Sequence, residues 1–196
     1  LVAIPFFMLW GGIMEKSGIT QRLVDFADAV VGWITGGLAY VSIFSGMLMG
    51  GIPGSGPADT AALGGILIPS MEKAGYPKEY ASATLAAAGS IGAIIPPSIT
   101  MVVLAGILSQ SVGSMLMAGL IPGILIGVLM MVTSGVICHR RQYAISDKTE
   151  FSWNKLGRSL KNAVLALLAP IIIVGGIVAG IFTATEASVV VCVYTL

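Results

Sequence analysis

The sequence predicts an all-α fold, that of a polytopic membrane protein with a re-entrant helical hairpin and a broken transmembrane helix. Of its 196 residues, 56% are hydrophobic and 10% are charged, whereas a soluble domain carries about 25% charged residues. Residues 80–138 contain no Asp, Glu, Lys or Arg, and one spanning helix needs only about 20 apolar residues. The 26 glycines are typical of helices that pack closely within a membrane.

The first elements follow from the alternation of charged and apolar segments. Residues 1–14 are the end of a transmembrane helix. Residues 15–35 mix charges with apolar residues at helical spacing, such as Leu23 and Phe26, which predicts an amphipathic helix at the cytoplasmic membrane surface. Residues 36–71 hold two apolar pieces, each too short for a hydrocarbon core of about 30 Å. A Gly/Pro/Ser turn joins them, so we predict a re-entrant hairpin.

The next elements are interrupted by prolines. Residues 78–109 form one membrane-crossing element that Pro96 and Pro97 break in its middle, since consecutive prolines remove two backbone donors. Residues 111–139 are expected to form a short helix and then a transmembrane helix, with the second helix starting at Pro122.

The last third of the chain returns to polar sequence before another span. Residues 140–161 are a basic cytoplasmic loop or amphipathic segment, and residues 162–182 are a transmembrane helix. Residues 183–196 begin the next helix. Thr183 is placed to cap that helix, with Glu186 as its capping-box partner three residues on.

The ten basic residues fall in three loops, which a re-entrant hairpin places on one side of the membrane. The positive-inside rule predicts that this side is cytoplasmic. A hairpin that crossed fully would destroy the agreement. The net charge of +1 indicates no nucleic-acid partner. Cys138 and Cys192 lie in or beside apolar segments and are interpreted as buried thiols without a disulfide.

Two interruptions of the backbone are the candidate site. Unpaired backbone groups are costly in hydrocarbon, so the breaks at residues 54–57 and 92–98 must be buried in protein or line a wet cavity. If they face each other, free carbonyls can surround a cation and the N–H groups of helix starts can meet an anion. Neutral oxygens, which suit sodium, are added by Ser55, Thr60, Ser90 and Ser98.

Other interpretations stay open for these residues. Glycine and proline are common in membrane helices, so each break can also be interpreted as a helix kink without a binding role. Asp59, the one charge of the hairpin, either caps the second hairpin helix or contacts an ion or substrate. An enzyme is not predicted, because Ser55 would need a base and the one histidine, His139, follows the apolar run at the membrane edge. The sequence contains neither a phosphate-binding loop nor a Cys/His metal cluster.

Four ordered stretches carry a resemblance to a known family. They are "GIPGSGPADTAALGGILIPSM", "GYPKEYASATLAAAGSIGAIIPPSITMV", "SVGSMLMAGLIPGILIG" and "GIFTATEAS". Together they resemble the large membrane subunit of tripartite ATP-independent periplasmic (TRAP) transporters, the DctM type. The resemblance covers nearly the whole chain and implies the N-terminal half of an inverted-repeat, elevator-type transporter. The chain has Pro53, Ala93 and Ala184 where the family usually has other residues, so Pro53 is not assigned to the site.

The resemblance implies sodium-driven import of carboxylates such as C4-dicarboxylates or sialic acid. It implies a periplasmic substrate-binding protein and a small membrane subunit as partners, a multi-pass location in the bacterial inner membrane, and no cofactor besides sodium as coupling ion. By similarity, the sodium ligands are the Ser55 hydroxyl and the carbonyls of Gly92, Ile95 and Pro97. The substrate-facing residues are Gly54, Gly56, Asp59, Thr60 and Ser98. Two other classes stay open: a cation channel with a re-entrant loop, and a purely structural membrane subunit.

Overall fold

The computed structural model describes residues 3–52, 54–143 and 151–195. Within these ranges the regular structure is entirely helical, which confirms the all-α class. The helices are α1 (Ala3–Lys16), α2 (Ile19–Val31), α3 (Gly37–Gly50), α4 (Gly56–Lys73), α5 (Lys78–Ile91), α6 (Ile99–Ile107), α7 (Val112–Arg141), α8 (Trp153–Val178) and α9 (Ala184–Thr195).

Two helices of the described residues, α7 and α8, are long and apolar enough to cross a membrane. They contain 30 and 26 residues, so at about 1.5 Å per residue each exceeds a hydrocarbon core of about 30 Å. Their outer faces expose large apolar side chains, for example Ile121 (75% exposed) and Ile171 (63% exposed). Apolar faces of this extent suit contact with lipid rather than with water.

The prediction of two separate helices over residues 111–139 is wrong, because α7 continues through Pro122. A proline removes one helical hydrogen bond, but membrane helices tolerate this loss when neighbours pack against them. Here Gly119 and Gly123, on either side of the proline, let residues Ile94 and Ile95 approach α7 closely. Packing at the proline therefore outweighs its local tendency to end the helix.

The predicted boundary between a basic loop or amphipathic segment at 140–161 and a transmembrane helix at 162–182 is also wrong. Helix α8 already begins at Trp153 and ends at Val178. The reason is that the basic residues at its start repeat at helical spacing, so one face stays polar while the helix continues. Lys155 on this face forms an ion pair of 2.5 Å with Asp28 of α2. The part of the predicted loop at 144–150 lies outside the described residues.

The capping box that begins α9 is confirmed. The carboxylate of Glu186 accepts hydrogen bonds from the backbone N–H and the hydroxyl of Thr183, both at 2.8 Å. The N–H of Glu186 donates back to the Thr183 hydroxyl at 3.3 Å. These bonds satisfy donors that a helix start otherwise leaves unpaired.

Two of the three segments that carry basic residues, the α4–α5 turn and the segment between α7 and α8, meet at one end of the molecule, called the basic end. The ring of Tyr76, in the α4–α5 turn, lies 6.2 Å from the ring of Tyr143, beyond α7. The ring of Trp33, beyond α2, lies 6.0 Å from that of Phe151, just before α8. Gly36, which precedes α3, packs on Cys138 of α7. Helices α3 and α5 therefore start at the basic end, and α4 and α7 finish there.

A stripe of glycines on α7 receives the helices that enter from the basic end. The stripe consists of Gly119, Gly123, Gly127 and Gly135, and a Cβ atom at any of them would overlap a neighbouring residue. The contacts, from the basic end inward, are Gly135 with Tyr40, Gly127 with Met47, Gly123 with Ile95, and Gly119 with Ile94. Helix α3 thus runs along α7, and the interruption after α5 lies beside the middle of α7 rather than at its far end.

Candidate functional site

The site is built from two interruptions that the structure brings together. The first, called the hairpin tip (residues 51, 52, 54 and 55), separates α3 from α4. The second, called the break (residues 92–98), separates α5 from α6. Helices α4 and α5 pack on each other and on α3, so both interruptions lie at the same depth from the basic end.

Direct backbone contact joins the hairpin tip to the break. A Cβ atom at Gly50 would lie 2.6 Å from the Cα of Gly92, and one at Gly54 would lie 2.6 Å from the carbonyl oxygen of Pro97. Gly54 also has a φ of +59°, which residues with a side chain rarely adopt. Only glycine at these positions lets the two backbones meet, which explains the glycine-rich composition of the tip.

The first turn of α4 rests on the last turn of α5. A Cβ at Gly56 would lie 2.9 Å from the carbonyl oxygen of Gly89, and a Cβ at Gly89 would overlap the hydroxyl of Thr60. That hydroxyl donates to the Gly56 carbonyl at 2.8 Å. The structure therefore uses Thr60, a predicted substrate-facing residue, inside the contact between α4 and α5.

A cavity of about 650 Å³ opens beside this contact. Of the predicted site residues, Gly54, Ser55, Gly56 and Asp59 line it. The remaining wall comes from α1 and α2, from the end of α3, from the hairpin tip and α4, and from both sides of the break. These residues are Met8, Gly11, Gly12, Met14, Ile19, Thr20, Met49, Ile52, Pro57, Ala58, Ala62, Ser90, Ala93, Ile99 and Thr100.

The cavity wall presents helix ends of both polarities. Helices α3 and α5 end at the site, so their last carbonyls carry the negative end of the helix dipole. Helices α4 and α6 begin there, so their first N–H groups carry the positive end. The cavity therefore lies beside helix ends of both polarities, whereas Gly92, Ile95 and Pro97, whose carbonyls are predicted to bind sodium, are absent from its wall.

The carbonyls predicted to bind sodium belong to the break. Within the described residues, no backbone N–H of the turns and loops donates to the carbonyls of Gly92, Ile95 or Pro97. Pro96 and Pro97 supply no N–H, which is one reason why these acceptors stay free. The Ile95 side chain turns away and packs on Gly123 of α7, so only its backbone is available to the site.

Ser98 is fully buried and stabilises the break. Its hydroxyl donates to the Ala93 carbonyl at 2.8 Å and accepts from the Met101 N–H at 3.4 Å, so it caps α6. Ser98 is absent from the cavity wall. The Ser98 oxygen therefore forms hydrogen bonds within the protein, whereas the sequence analysis predicted that Ser98 faces the substrate.

The structure contradicts a capping role for Asp59. Ser55 holds the N-cap position of α4, and the Asp59 N–H already donates to the Ser55 carbonyl at 2.9 Å. Asp59 thus lies inside the helix, beyond the position from which a side chain can cap its first turn. The residue is 0% exposed. Neither carboxylate oxygen has a hydrogen-bond partner among the described residues.

The walls from α1 and α2 were missed by sequence reasoning. Gly11, Gly12 and Thr20 line the cavity, yet the sequence marks them only as parts of a helix end and a surface helix. The Gly11–Gly12 pair was the available indication, since small residues leave space beside a helix. No group of three or more His, Cys, Asp or Glu side chains occurs in the described ranges, so a cation here would depend on neutral oxygens and one carboxylate.

Comparisons with known proteins assign the chain a family. The model of the "Tripartite ATP-independent periplasmic transporter, DctM component" matches residues 1–196. The chain is 42% identical over 196 residues to a sialic acid TRAP transporter large permease protein of Vibrio cholerae and covers 45% of that protein. It is 41% identical over 195 residues to a C4-dicarboxylate TRAP transporter large permease protein of Pseudomonas aeruginosa, again covering 45% of it.

A third relative is named for another substrate. The chain is 38% identical over 196 residues to a 2,3-diketo-L-gulonate TRAP transporter large permease protein of Escherichia coli and covers 46% of it. In each comparison essentially the whole chain is aligned. The chain spans about half the length of the curated relatives it matches.

Proposed function

Because the chain belongs to the DctM family of TRAP transporters, we propose that it forms part of the permease subunit of a sodium-coupled secondary transporter. The substrates are carboxylates, the class of compound for which its relatives are named. A periplasmic binding protein delivers the substrate, and a small membrane subunit supports the permease in the bacterial inner membrane. The contact between the hairpin tip and the break carries this proposal.

We propose that α3 and α4 form a re-entrant hairpin. They contain 14 and 18 residues, or about 21 and 27 Å at about 1.5 Å per residue. Both are joined to the basic end, and the tip meets the break beside the middle of α7. A hairpin of this length that stops there leaves its tip within the membrane, where a polar backbone needs protein partners.

The residues at the tip and the break fit a sodium ion. Free carbonyls at Gly92, Ile95 and Pro97 and the hydroxyl of Ser55 are hard neutral oxygens, the ligand type that sodium prefers. The glycines of the contact leave space that a Cβ would fill. Sodium bound to both interruptions stabilises their contact, and a substrate anion then meets the helix starts of α4 and α6 beside it. In this arrangement the ion and the anion bind together.

The glycine stripe on α7 favours movement of the bound site by sliding. Helix α3 and the break contact α7 at its glycines, while α5 contacts α7 through the Tyr80 and Ser134 hydroxyls. Where α7 presents glycines, it has no side chains of its own that must repack when one helix group shifts along another. We therefore propose elevator-type alternating access, with α3, α4, α5 and α6 moving as a block along α7.

The test is uptake by the full-length transporter in proteoliposomes, with its small subunit and binding protein present. Radiolabelled sialic acid and succinate are offered with and without an inward sodium gradient. Ser55→Ala is compared with Ser70→Ala, a matched control on the same helix whose hydroxyl bonds the Ile66 carbonyl at 2.9 Å. We expect Ser55→Ala to raise the sodium concentration for half-maximal uptake about tenfold, the effect of losing one oxygen contact to a charge.

Three results would contradict the proposal. Uptake by the wild type that ignores sodium excludes sodium coupling. Ion conductance without the binding protein identifies a channel. Equal sodium requirements for Ser55→Ala and Ser70→Ala return the hairpin tip to a purely structural role.

A further inference from the structure

Three aromatic side chains, called the aromatic cluster, lie together on the surface where α2 and α8 meet. They are Trp33, Phe151 and Trp153. The ring of Phe151 lies 6.0 Å from that of Trp33 and 5.0 Å from that of Trp153, and both pairs meet edge to face. Trp153 is 77% exposed, and the other two side chains are about half exposed. The contacts hold the rings in place, while the described residues leave their outer sides uncovered.

The aromatic cluster lies where the chain passes from polar to apolar surroundings. Trp33 follows the surface helix α2, and Trp153 is the first residue of α8. The exposed face of α8 then continues through Leu160 and Val164 to Ile171, which share one side of the helix with Trp153. An apolar face of this length suits lipid, so its first residue lies near the bilayer surface. Tryptophan is enriched at that level of a membrane protein.

Two basic side chains lie beside the aromatic cluster. Arg158 and Lys161 follow Trp153 by about one and two turns of α8, and both are exposed. Neither forms an ion pair with another described residue. Gly157 lies between Trp153 and Lys161, and a Cβ added there would meet no atom within 4 Å. Trp153 and Lys161 therefore border an open space over Gly157, with Arg158 next to it.

The joint between α2 and α8 is fixed beside this space. The Nζ atom of Lys155 lies 2.5 Å from the Oδ2 atom of Asp28, so the charge of Lys155 is already neutralised. This ion pair and the contact of Trp33 with Phe151 hold α2 against α8. Trp33 also lies shortly before Gly37, the first residue of α3. A ligand that holds Trp33 at one depth therefore holds the start of α3 at that depth too.

The chemistry of this surface favours an amphipathic anion. A small soluble anion would pair with the basic side chains but leave the rings exposed. An apolar partner would cover the rings but leave two charges without a counterion. An anionic phospholipid meets both requirements, because its phosphate pairs with Arg and Lys while its glycerol and acyl chains pack on aromatic and aliphatic side chains.

We propose that the aromatic cluster, Arg158 and Lys161 form a binding site for the headgroup of an anionic phospholipid, which anchors the joint between α2 and α8 at the bilayer surface. The phosphate pairs with the two basic side chains beside Gly157, and the acyl chains follow the apolar face of α8. Because Trp33 precedes α3, the anchor also fixes the depth at which the hairpin starts. This inference needs α8 to span the membrane but is independent of sodium coupling and of the substrate.

The test measures quenching of tryptophan fluorescence in the full-length transporter, reconstituted in nanodiscs with a minority of phosphatidylglycerol in phosphatidylcholine. In one preparation only the phosphatidylglycerol carries bromine near the top of its acyl chain, and in the other only the phosphatidylcholine does. Bromine quenches a tryptophan only at close range. Subtracting the signal of Trp153→Phe from that of the wild type isolates the quenching of Trp153, whose exposed position lets the variant fold.

We expect phosphatidylglycerol to be enriched beside Trp153 at least about fivefold over its share of the bilayer, the contribution of one basic residue near an anionic surface. The variant Arg158→Gln/Lys161→Gln should lose the enrichment. The matched control Arg140→Gln/Arg141→Gln removes two exposed charges from the end of α7 instead and should keep it.

Three results of the quenching experiment would overturn the lipid site. Quenching of Trp153 by neither lipid means that a protein partner covers the cluster. Quenching in proportion to each lipid's share means contact with the bilayer without a site for an anion. Equal loss of enrichment in both double variants means that the general positive charge of this end, and not the site beside Gly157, attracts the lipid.

The anchoring role has its own measurement. Amide hydrogen exchange at residues 32–36 is compared between nanodiscs with phosphatidylglycerol and nanodiscs of phosphatidylcholine alone. A ligand that binds the closed joint slows its local opening, so we expect exchange about fivefold slower with phosphatidylglycerol in the wild type and no difference in Arg158→Gln/Lys161→Gln. Equal exchange of the wild type in the two bilayers would overturn the anchoring role.

Discussion

Gly54→Ala tests the contact between the hairpin tip and the break most directly. Two penalties add at this position. A φ of +59° costs a residue with a Cβ about 1–2 kcal/mol. The new Cβ would also lie 2.6 Å from the Pro97 oxygen and 2.7 Å from the Ser98 Cα, and such overpacking costs about 1–3 kcal/mol. The expected loss of stability is the sum, about 2–5 kcal/mol.

Two further glycines separate these penalties. Gly75 has a φ of +89° but no atom within 4 Å of an added Cβ, so Gly75→Ala measures backbone strain alone. Gly50 has no φ penalty, and its Cβ would lie 2.6 Å from the Gly92 Cα, so Gly50→Ala measures the overlap alone.

The assay combines the melting temperature of the purified transporter in detergent with amide hydrogen exchange. Gly54→Ala should melt at the lowest temperature of the three variants. Exchange at residues 51–56 should accelerate in Gly54→Ala and Gly50→Ala but not in Gly75→Ala. If Gly54→Ala matches Gly75→Ala in both measurements, the tip does not rest on the break, and the reasoning behind the site is refuted.

Two other predictions concern contacts outside the site. Thr183→Ala should lower the free energy of unfolding by about 1 kcal/mol, because it removes the N-cap of α9. Amide exchange in the first turn of α9 should then be about fivefold faster. Thr183→Ser should restore the slow exchange. Tyr80→Phe removes the 2.5 Å hydrogen bond between the Tyr80 and Ser134 hydroxyls. It should cost about 1–3 kcal/mol because the buried Ser134 hydroxyl loses its short bond to Tyr80. Adding Ser134→Ala to Tyr80→Phe should recover part of that loss in melting temperature, and strictly additive losses would show that the two hydroxyls do not interact.

Local chemistry made the hairpin and the break predictable. The predicted hairpin at 36–71 and the observed α3 and α4 nearly coincide, because glycine and proline end helices through their own backbone properties. The capping box at Thr183 was predictable for the same reason. Both features depend on residues that are close together in the sequence.

Features that depend on distant contacts were not predictable. The same rule about proline failed at Pro122, where packing on residues 94 and 95 keeps α7 continuous. The capping role of Asp59 failed because its carboxylate is held against Gly92, a contact between different helices. No local sequence pattern marks the residues of α1 and α2 that line the cavity, because tertiary packing places them beside the tip.

The hairpin tip is synthesised before the break that receives it. Pro97 leaves the ribosome about 40 residues after Gly54, an interval of about 2–8 s at about 5–20 residues per second. During that interval the polar backbone of the tip lacks its partner, and lipid supplies no hydrogen bonds in its place. If the hairpin is re-entrant, as proposed, we expect it to reach its final depth only after α5 and α6 have emerged, so that α3 to α6 insert together rather than helix by helix.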